Sequence, residues 1–136
     1  MKSILDKCVQ APKLRNDEEI LDSITFKRDY HDWSEIIGTN NVLILTNKRL
    51  IMKPKKGKRS PSELQVDLEL NLADINKIRT SGFYTVLLEI ETNTITHSIE
   101  FLSDIKNIVK QIVNIENLQR TSWGGIFKKE WSRDEG

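Results

Sequence analysis

The sequence predicts a mainly β fold, with about seven antiparallel strands followed by one C-terminal amphipathic helix. Three observations support this fold class. Two short aliphatic runs at residues 42–46 and 49–53 are separated by only two residues, which is typical of a hairpin. Apolar and polar residues alternate strictly at 64–71, as in a half-buried strand. From Ser103 onward the apolar spacing changes to three and four residues, which indicates a helix.

The chain begins with a predicted helical extension at residues 1–16. Residues 17–29 are expected to form the first strand, although a helical start at 18–21 fits almost as well. The segment 30–41 contains a glycine and two consecutive asparagines and is expected to be a loop. The apolar residues that indicate the N-terminal helix lie at helical spacing: Ile4, Leu5, Cys8 and Val9.

The central part of the chain is predicted to form the remaining strands. In the hairpin of residues 42–53, Asn47 and Lys48 are expected to make a two-residue turn, because asparagine tolerates positive φ. The other predicted elements are a loop at 54–62, a strand at 64–70, a connector at 72–78 and strands at 83–91 and 95–101.

A helix at residues 103–119 is predicted to close the domain, with Ser103 as its N-cap. The last segment, 121–136, has too few apolar residues for a core of its own and is expected to be a docked or partly disordered tail. The predicted organisation is therefore a helical extension at 1–16, one domain at 17–120 and the tail at 121–136.

Two stretches resemble the bacterial pleckstrin-homology and GRAM-like families. Residues 42–51, VLILTNKRLI, are similar to the hairpin of those families, an aliphatic run followed by Thr-Asp/Asn-Lys/Arg-Arg-Leu. Residues 70–78, LNLADINKI, are similar to an aliphatic-x-Leu-x-Asp-Ile-x-x-Val element. The resemblance spans about residues 19–118 and implies a pleckstrin-homology-like split barrel capped by the C-terminal helix. It also implies a binding scaffold rather than an enzyme.

Composition narrows the classes of function. The chain has 21 Lys+Arg against 20 Asp+Glu, so no overall field attracts nucleic acid, and nucleic acid is not an expected partner. The single cysteine, Cys8, excludes an internal disulfide. Neither a signal peptide nor a membrane-spanning stretch is visible. We therefore expect a cytoplasmic protein, at most peripheral at a membrane.

The residue pattern also argues against catalysis. The sequence has no Gly-x-Ser-x-Gly motif, no phosphate-binding loop and no multi-ligand metal pattern, so we expect neither enzyme activity nor a cofactor. Asp29, His31 and Asp32 form the only cluster of acids with a histidine. They leave a small metal-dependent hydrolase as a remote alternative. His97 lies in an alternating strand and is expected to be partly buried.

A basic stretch at residues 48–59 contains seven basic residues and no acidic residue. In pleckstrin-homology domains that bind phosphoinositides, basic residues at such strand ends contact the phosphates, so the resemblance implies a candidate anionic-lipid site. A solvated loop kept soluble by its charge explains the same pattern. The seven residues are Lys48, Arg49, Lys53, Lys55, Lys56, Lys58 and Arg59.

Three aromatic residues in the tail recur every four positions, as on one face of a short helix. Trp123, Phe127 and Trp131 therefore form a candidate partner-binding surface. The alternative is that these side chains fold back onto the domain.

The expected function is a non-catalytic binding module. An unknown protein partner or a homo-oligomer is the first interpretation, because the edge strands of such sheets accept an added strand. Peripheral binding to an anionic membrane through residues 48–59 is the alternative.

Overall fold

A computed structural model of the protein describes residues 12–32, 35–54, 68–82, 86–101, 105–121 and 128–133. The described chain is mainly β, as predicted, with a four-stranded and a five-stranded antiparallel sheet. It divides into two compact units, unit 1 at Met1–Leu70 and unit 2 at Asn71–Gly136.

The sheet of unit 1 has the strand order β1-β2-β3-β4. The centre of the unit is an apolar cluster of Val42, Ile44 and Ile51, on which Ile20 packs. Leu43 and Leu45 lie on the opposite face of the same strand and are also fully buried, because both faces of this strand are covered. The strands are β1 (Ile20–Asp32), β2 (Glu35–Thr46), β3 (Arg49–Pro54) and β4 (Leu68–Asn71).

Two predictions for unit 1 are confirmed and one is wrong. The first strand is present, and β2 and β3 form the predicted hairpin with Asn47 and Lys48 between them. The predicted loop at 30–41 is instead the end of β1 and most of β2, which pair as far as Asp32 and Glu35. The glycine and asparagines that suggested a loop lie inside this ladder, where Gly38 pairs with Asp29. Continuous backbone hydrogen bonding along the hairpin outweighs the weak strand preference of these residues.

The sheet of unit 2 has the strand order β7-β6-β5-β9-β8. Its core is formed by buried apolar residues of the three consecutive strands β5, β6 and β7, together with one face of the α-helix α1. A short 3-10 helix at Leu72–Asp74 precedes the sheet. The other elements are β5 (Ile75–Ser81), β6 (Val86–Thr92), β7 (Thr96–Phe101), α1 (Lys106–Glu116), β8 (Gln119–Thr121) and β9 (Lys128–Ser132).

In unit 2, the predicted strands at 83–91 and 95–101 correspond to β6 and β7, which pair with each other. The connector predicted at 72–78 is only half correct. Leu72–Asp74 is a 3-10 helix, but β5 begins at Ile75 because the chain pairs at once with β6.

The predicted helix is present as α1, with Ile108, Val109 and Ile112 buried. Its N-cap is Ile105 rather than Ser103. The helix ends at Asn117, which adopts the left-handed conformation at φ 53° and leaves the Leu118 N–H to donate to the Val113 carbonyl at 3.0 Å.

The helix is not the last element of the fold, contrary to prediction. Strands β8 and β9 follow it, and β9 lies between β5 and β8 in the sheet. The segment 121–136 therefore contributes a strand inside the sheet, although its sequence has few apolar residues. One barrel over residues 17–120 stays a prediction, and the predicted N-terminal helix lies outside the described residues. No described helix has the length and apolar character needed to cross a bilayer.

Candidate functional site

The turn of the β2–β3 hairpin is hydrogen-bonded to the segment that precedes β1. Asn47 Nδ2 donates to the Asp17 carbonyl at 2.9 Å, and Asn47 Oδ1 accepts from the Glu19 N–H at 2.9 Å. Among the described non-glycine residues, only Asp17 and Asn117 have positive φ. Asn47 therefore does not use the left-handed conformation that was predicted for it. Its side chain instead joins two segments that are distant in sequence.

Arg49 lies inside unit 1, with only 3% of its surface exposed. Its Nε donates to Glu18 Oε2 at 2.7 Å and its Nη2 to Glu18 Oε1 at 2.5 Å. Nη1 donates to Glu69, and Nη2 also donates to the Lys13 carbonyl at 3.0 Å. The Thr46 hydroxyl donates to Glu18 Oε2 at 2.7 Å. This two-pronged geometry satisfies both carboxylate oxygens of Glu18, which offsets the cost of burying the two charges.

The ion pair perturbs the ionisation of both partners. Hydrogen bonding from Arg49 lowers the pKa of Glu18 from 4.5 to about 2, against the opposing effect of burial. The Arg15 N–H, which donates to Glu18 Oε1 at 2.8 Å, lowers this pKa further. The hydrogen bond to Glu18 in turn raises the pKa of Arg49. Both groups are therefore charged at neutral pH, and their ion pair links the segment that precedes β1 to the hairpin.

The basic stretch at 48–59 lies only partly within the described residues. Arg49 is committed to internal contacts, which argues against its predicted part in lipid binding. Lys48 is exposed, and its Nζ donates to the Asn16 carbonyl at 3.2 Å. Lys53 is half-buried in β3. The other four candidates lie outside the described residues: Lys55, Lys56, Lys58 and Arg59.

Unit 2 contains an open pocket of about 550 Å³ between α1 and the adjoining ends of β5 and β9. Its lining is mainly apolar, and lysines stand at its rim. Pockets of this size and character are typical of small-molecule sites. The lining residues are Thr80, Ser81, Gly82, Val86, Ile105, Lys106, Val109, Lys110, Val113, Lys129 and Trp131.

Strand geometry supplies one wall of this pocket. Lys129 and Trp131 are two residues apart in β9, so their side chains lie on the same face of the sheet. Lys129 pairs with Thr80 of β5, which places Thr80 on that face as well. Beyond Ser81, Gly82 has φ 117°, a conformation that glycine adopts without strain. The glycine thus ends β5 at the pocket.

Helix geometry supplies the other wall. Lys106 and Lys110 are one turn apart, and so are Val109 and Val113, so each pair forms a row along α1. Val109 is buried and Val113 half-buried, whereas both lysines are exposed. The helix therefore presents an apolar row towards the pocket and a basic row at its rim.

The charged side chains among the described lining residues of the pocket are all positive. Of the described residues that line the pocket, three are lysines and none is acidic. Within the described part of the chain, Lys110 and Lys129 form no ion pair. The pocket therefore combines an apolar interior with a positive rim.

Trp131, a predicted partner-binding residue, lies in β9 and not on a helix. Its ring is 5.3 Å from the guanidinium carbon of Arg120, a cation–π contact across the β8–β9 pair. The helical interpretation of the four-residue spacing is wrong at this position. The alternative, an aromatic side chain folded back onto the domain, agrees with the half-buried ring. Trp123 and Phe127 lie outside the described residues.

Sequence reasoning identified Trp131 but missed the rest of the pocket. A usable signal was present on α1, where Lys106 and Lys110 flank the apolar stripe and Val113 widens it towards them. Nothing local indicated that Lys129 would lie opposite these lysines, because β9 is placed by pairing with a strand far away in sequence.

The remaining sequence candidates do not assemble into a described site. No three His, Cys, Asp or Glu side chains of the described residues could hold a metal ion together. The side chains of Asp29, His31 and Asp32 lie outside the description. His97 is half-buried in β7, as predicted. No protein-family model matches the chain, and no curated protein matches it significantly.

Proposed function

We propose that this protein is a non-catalytic binding module and that the pocket of unit 2 is its binding site. The ligand has an apolar body and a negative charge. The single observation that supports this function is an apolar pocket of about 550 Å³ whose described lining residues include three lysines and no acidic residue.

The physical basis is complementarity of two kinds. Apolar ligand surface that enters the pocket leaves water, which stabilises the complex by about 25 cal/mol for each Å² buried. The lysines favour a negative group at the mouth and disfavour a positive one. Each exposed ion pair adds at most about 1 kcal/mol, so the apolar contact supplies most of the affinity and the lysines select the charge.

The test uses anilinonaphthalene sulfonate, a fluorescent probe with an apolar ring system and one negative charge. We expect saturable binding with one site per chain, accompanied by energy transfer from tryptophan to the probe. Val113→Trp should block the site, because Val113 is half-buried in its wall. Asn114→Trp is the matched control, because the neighbouring Asn114 is exposed on α1 and does not line the pocket.

The expected result is at least a ten-fold loss of probe affinity in Val113→Trp and none in Asn114→Trp, with unchanged far-ultraviolet circular dichroism in both. Equal binding by the two variants would place the probe elsewhere and refute the proposed site. The neutral analogue phenylnaphthylamine measures the charge preference, since it has the same rings without the sulfonate.

Self-association or binding of a protein strand is a second candidate, and β1 is the observation that favours it. Among the described strands, this 13-residue strand pairs with β2 alone and lies at one edge of the sheet of unit 1. A long edge strand is a template for an added strand. Size-exclusion chromatography with light scattering should then give a mass that rises with concentration. A monomer at all concentrations would exclude self-association through this edge.

Peripheral membrane binding through residues 48–59 stays a prediction with its own test. Sedimentation with acidic phosphatidylserine vesicles at low salt should retain the protein, and retention should fall as salt screens the charges. The triple change of Lys55, Lys56 and Lys58 to glutamate should abolish it. Failure of the wild-type protein to sediment at low salt would remove this alternative.

A further inference from the structure

We propose that the ligand of the pocket in unit 2 is a single-chain alkyl carboxylate, a free fatty acid, with its chain in the apolar interior and its carboxylate at the lysine rim. This inference rests on the proposed function and names the chemical class of its ligand.

The first argument is the match between volume and lining. A pocket of about 550 Å³ has room for one small molecule rather than for a macromolecular interface. The valines of α1, Val109 and Val113, and the ring of Trp131 offer side-chain surface that suits a flexible hydrocarbon chain. Because each methylene that enters an apolar site adds to the free energy of binding, chain length should govern affinity.

The second argument is that the backbone at Thr80, Ser81 and Trp131, beside the pocket, is paired on both sides and leaves no edge for a peptide strand at these positions. Thr80 and Ser81 pair with β6 on one side and with β9 on the other. Trp131 pairs with Ile78 and with Arg120. A bound peptide strand would need unpaired backbone groups at these positions. An alkyl chain needs none, because it has no backbone donors or acceptors to satisfy.

The third argument is the position and sign of the charges. Lys110 lies on α1 and Lys129 on β9, so the two ammonium groups come from different walls of the pocket. Both are exposed, and a carboxylate at the mouth stays partly hydrated while the chain is buried. Only the negative end of the ligand is attracted there, which gives the chain a preferred orientation.

The test is displacement of bound anilinonaphthalene sulfonate by a series of straight-chain carboxylates from eight to fourteen carbons, each below its micellar concentration. A methylene that enters an apolar site contributes about 0.8 kcal/mol, so affinity should rise about four-fold for each added carbon until the pocket is full. Beyond that length the affinity should level off, because further carbons remain in water.

Two matched comparisons examine the head group. Alcohols of the same chain length should bind more weakly than the carboxylates, and alkyl trimethylammonium ions more weakly still. Lys110→Gln and Lys129→Gln should each reduce carboxylate affinity by up to about five-fold and leave alcohol affinity unchanged. Lys13→Gln is the control, because Lys13 is an exposed lysine of unit 1.

The outcomes separate this inference from the proposed function. If the probe binds at the pocket but carboxylates fail to displace it, or show no dependence on chain length, the ligand class is wrong and the binding site stands. If acidic peptides displace the probe and carboxylates do not, the ligand is a protein segment. If neither the probe nor the carboxylates respond to Val113→Trp, both proposals fail.

Discussion

Replacing Glu18 with glutamine removes the charge of a buried ion pair and changes little else in shape. The side chain of Glu18 is fully buried, and that of its partner Arg49 is 4% exposed. The interval between pKa values of 4.5 and about 2 corresponds to about 3 kcal/mol, at about 1.4 kcal/mol for each pH unit. We therefore expect Glu18→Gln to lower the free energy of unfolding by about 3 kcal/mol at pH 7. This loss of stability agrees with the value of about 3–5 kcal/mol that is typical of removing one partner of a buried ion pair.

The pH dependence follows from the direction of the shift. A carboxyl group whose pKa is lower in the folded protein stabilises the fold above its unfolded pKa and loses that effect as the pH falls. The contribution of Glu18 should thus be complete above about pH 5 and disappear between 4.5 and about 2. Protonated Glu18 resembles glutamine, so the wild-type protein and the variant should converge in stability at the acid end of this range.

The assay is urea unfolding followed by far-ultraviolet circular dichroism at pH 7 and at steps down to pH 2.5. Glu19→Gln is the matched control, because the adjacent Glu19 is exposed, and it should change stability by less than about 0.5 kcal/mol. Glu69→Gln should cost at most about 1 kcal/mol, since its side chain is 52% exposed. A difference between wild type and Glu18→Gln that is equally large at pH 7 and pH 2.5 would refute the electrostatic reasoning.

Three further predictions concern unit 2. Ile112→Asp should unfold it, with loss of the helical dichroism signal, because the side chain is 1% exposed and an unpaired buried charge costs several kcal/mol. Asn117→Ala should lower stability by about 1 kcal/mol in thermal melting and Asn117→Gly should not, because φ is 53° at this position. Arg133→Met should cost about 1–2 kcal/mol in urea unfolding. Its Nη2 donates to the Ile75 carbonyl at 2.7 Å and to Glu116 Oε1 at 2.9 Å, and an Arg133 variant as stable as wild type would contradict this.

Local pattern was sufficient for part of the fold. The hairpin of β2 and β3 and the helix α1 were predictable, because each is encoded by apolar spacing within one short segment. The long β1–β2 hairpin was not, since the weak strand formers around Gly38 are held by pairing with the other strand.

The candidate site depended more heavily on tertiary structure. Arg49 reads as one more cation in a basic stretch, and only the fold directs its guanidinium towards Glu18, which is 31 residues away in sequence. Likewise, only the pairing of β9 with β5 places Lys129 and Trp131 at the pocket.

The sequence by itself therefore determined the mainly β class, the central hairpin and the apolar face of α1, because these features repeat at the period of their own element. Tertiary structure decided where the last strand goes. The spacing of Trp123, Phe127 and Trp131 fits a helix in isolation, but β9 is stabilised by pairing with β5, and Glu130 binds Arg79 across 51 residues at 2.5 Å. The pocket exists only because that pairing brings Lys129 and Trp131 to the helix, and such long-range hydrogen bonds leave no trace in local periodicity.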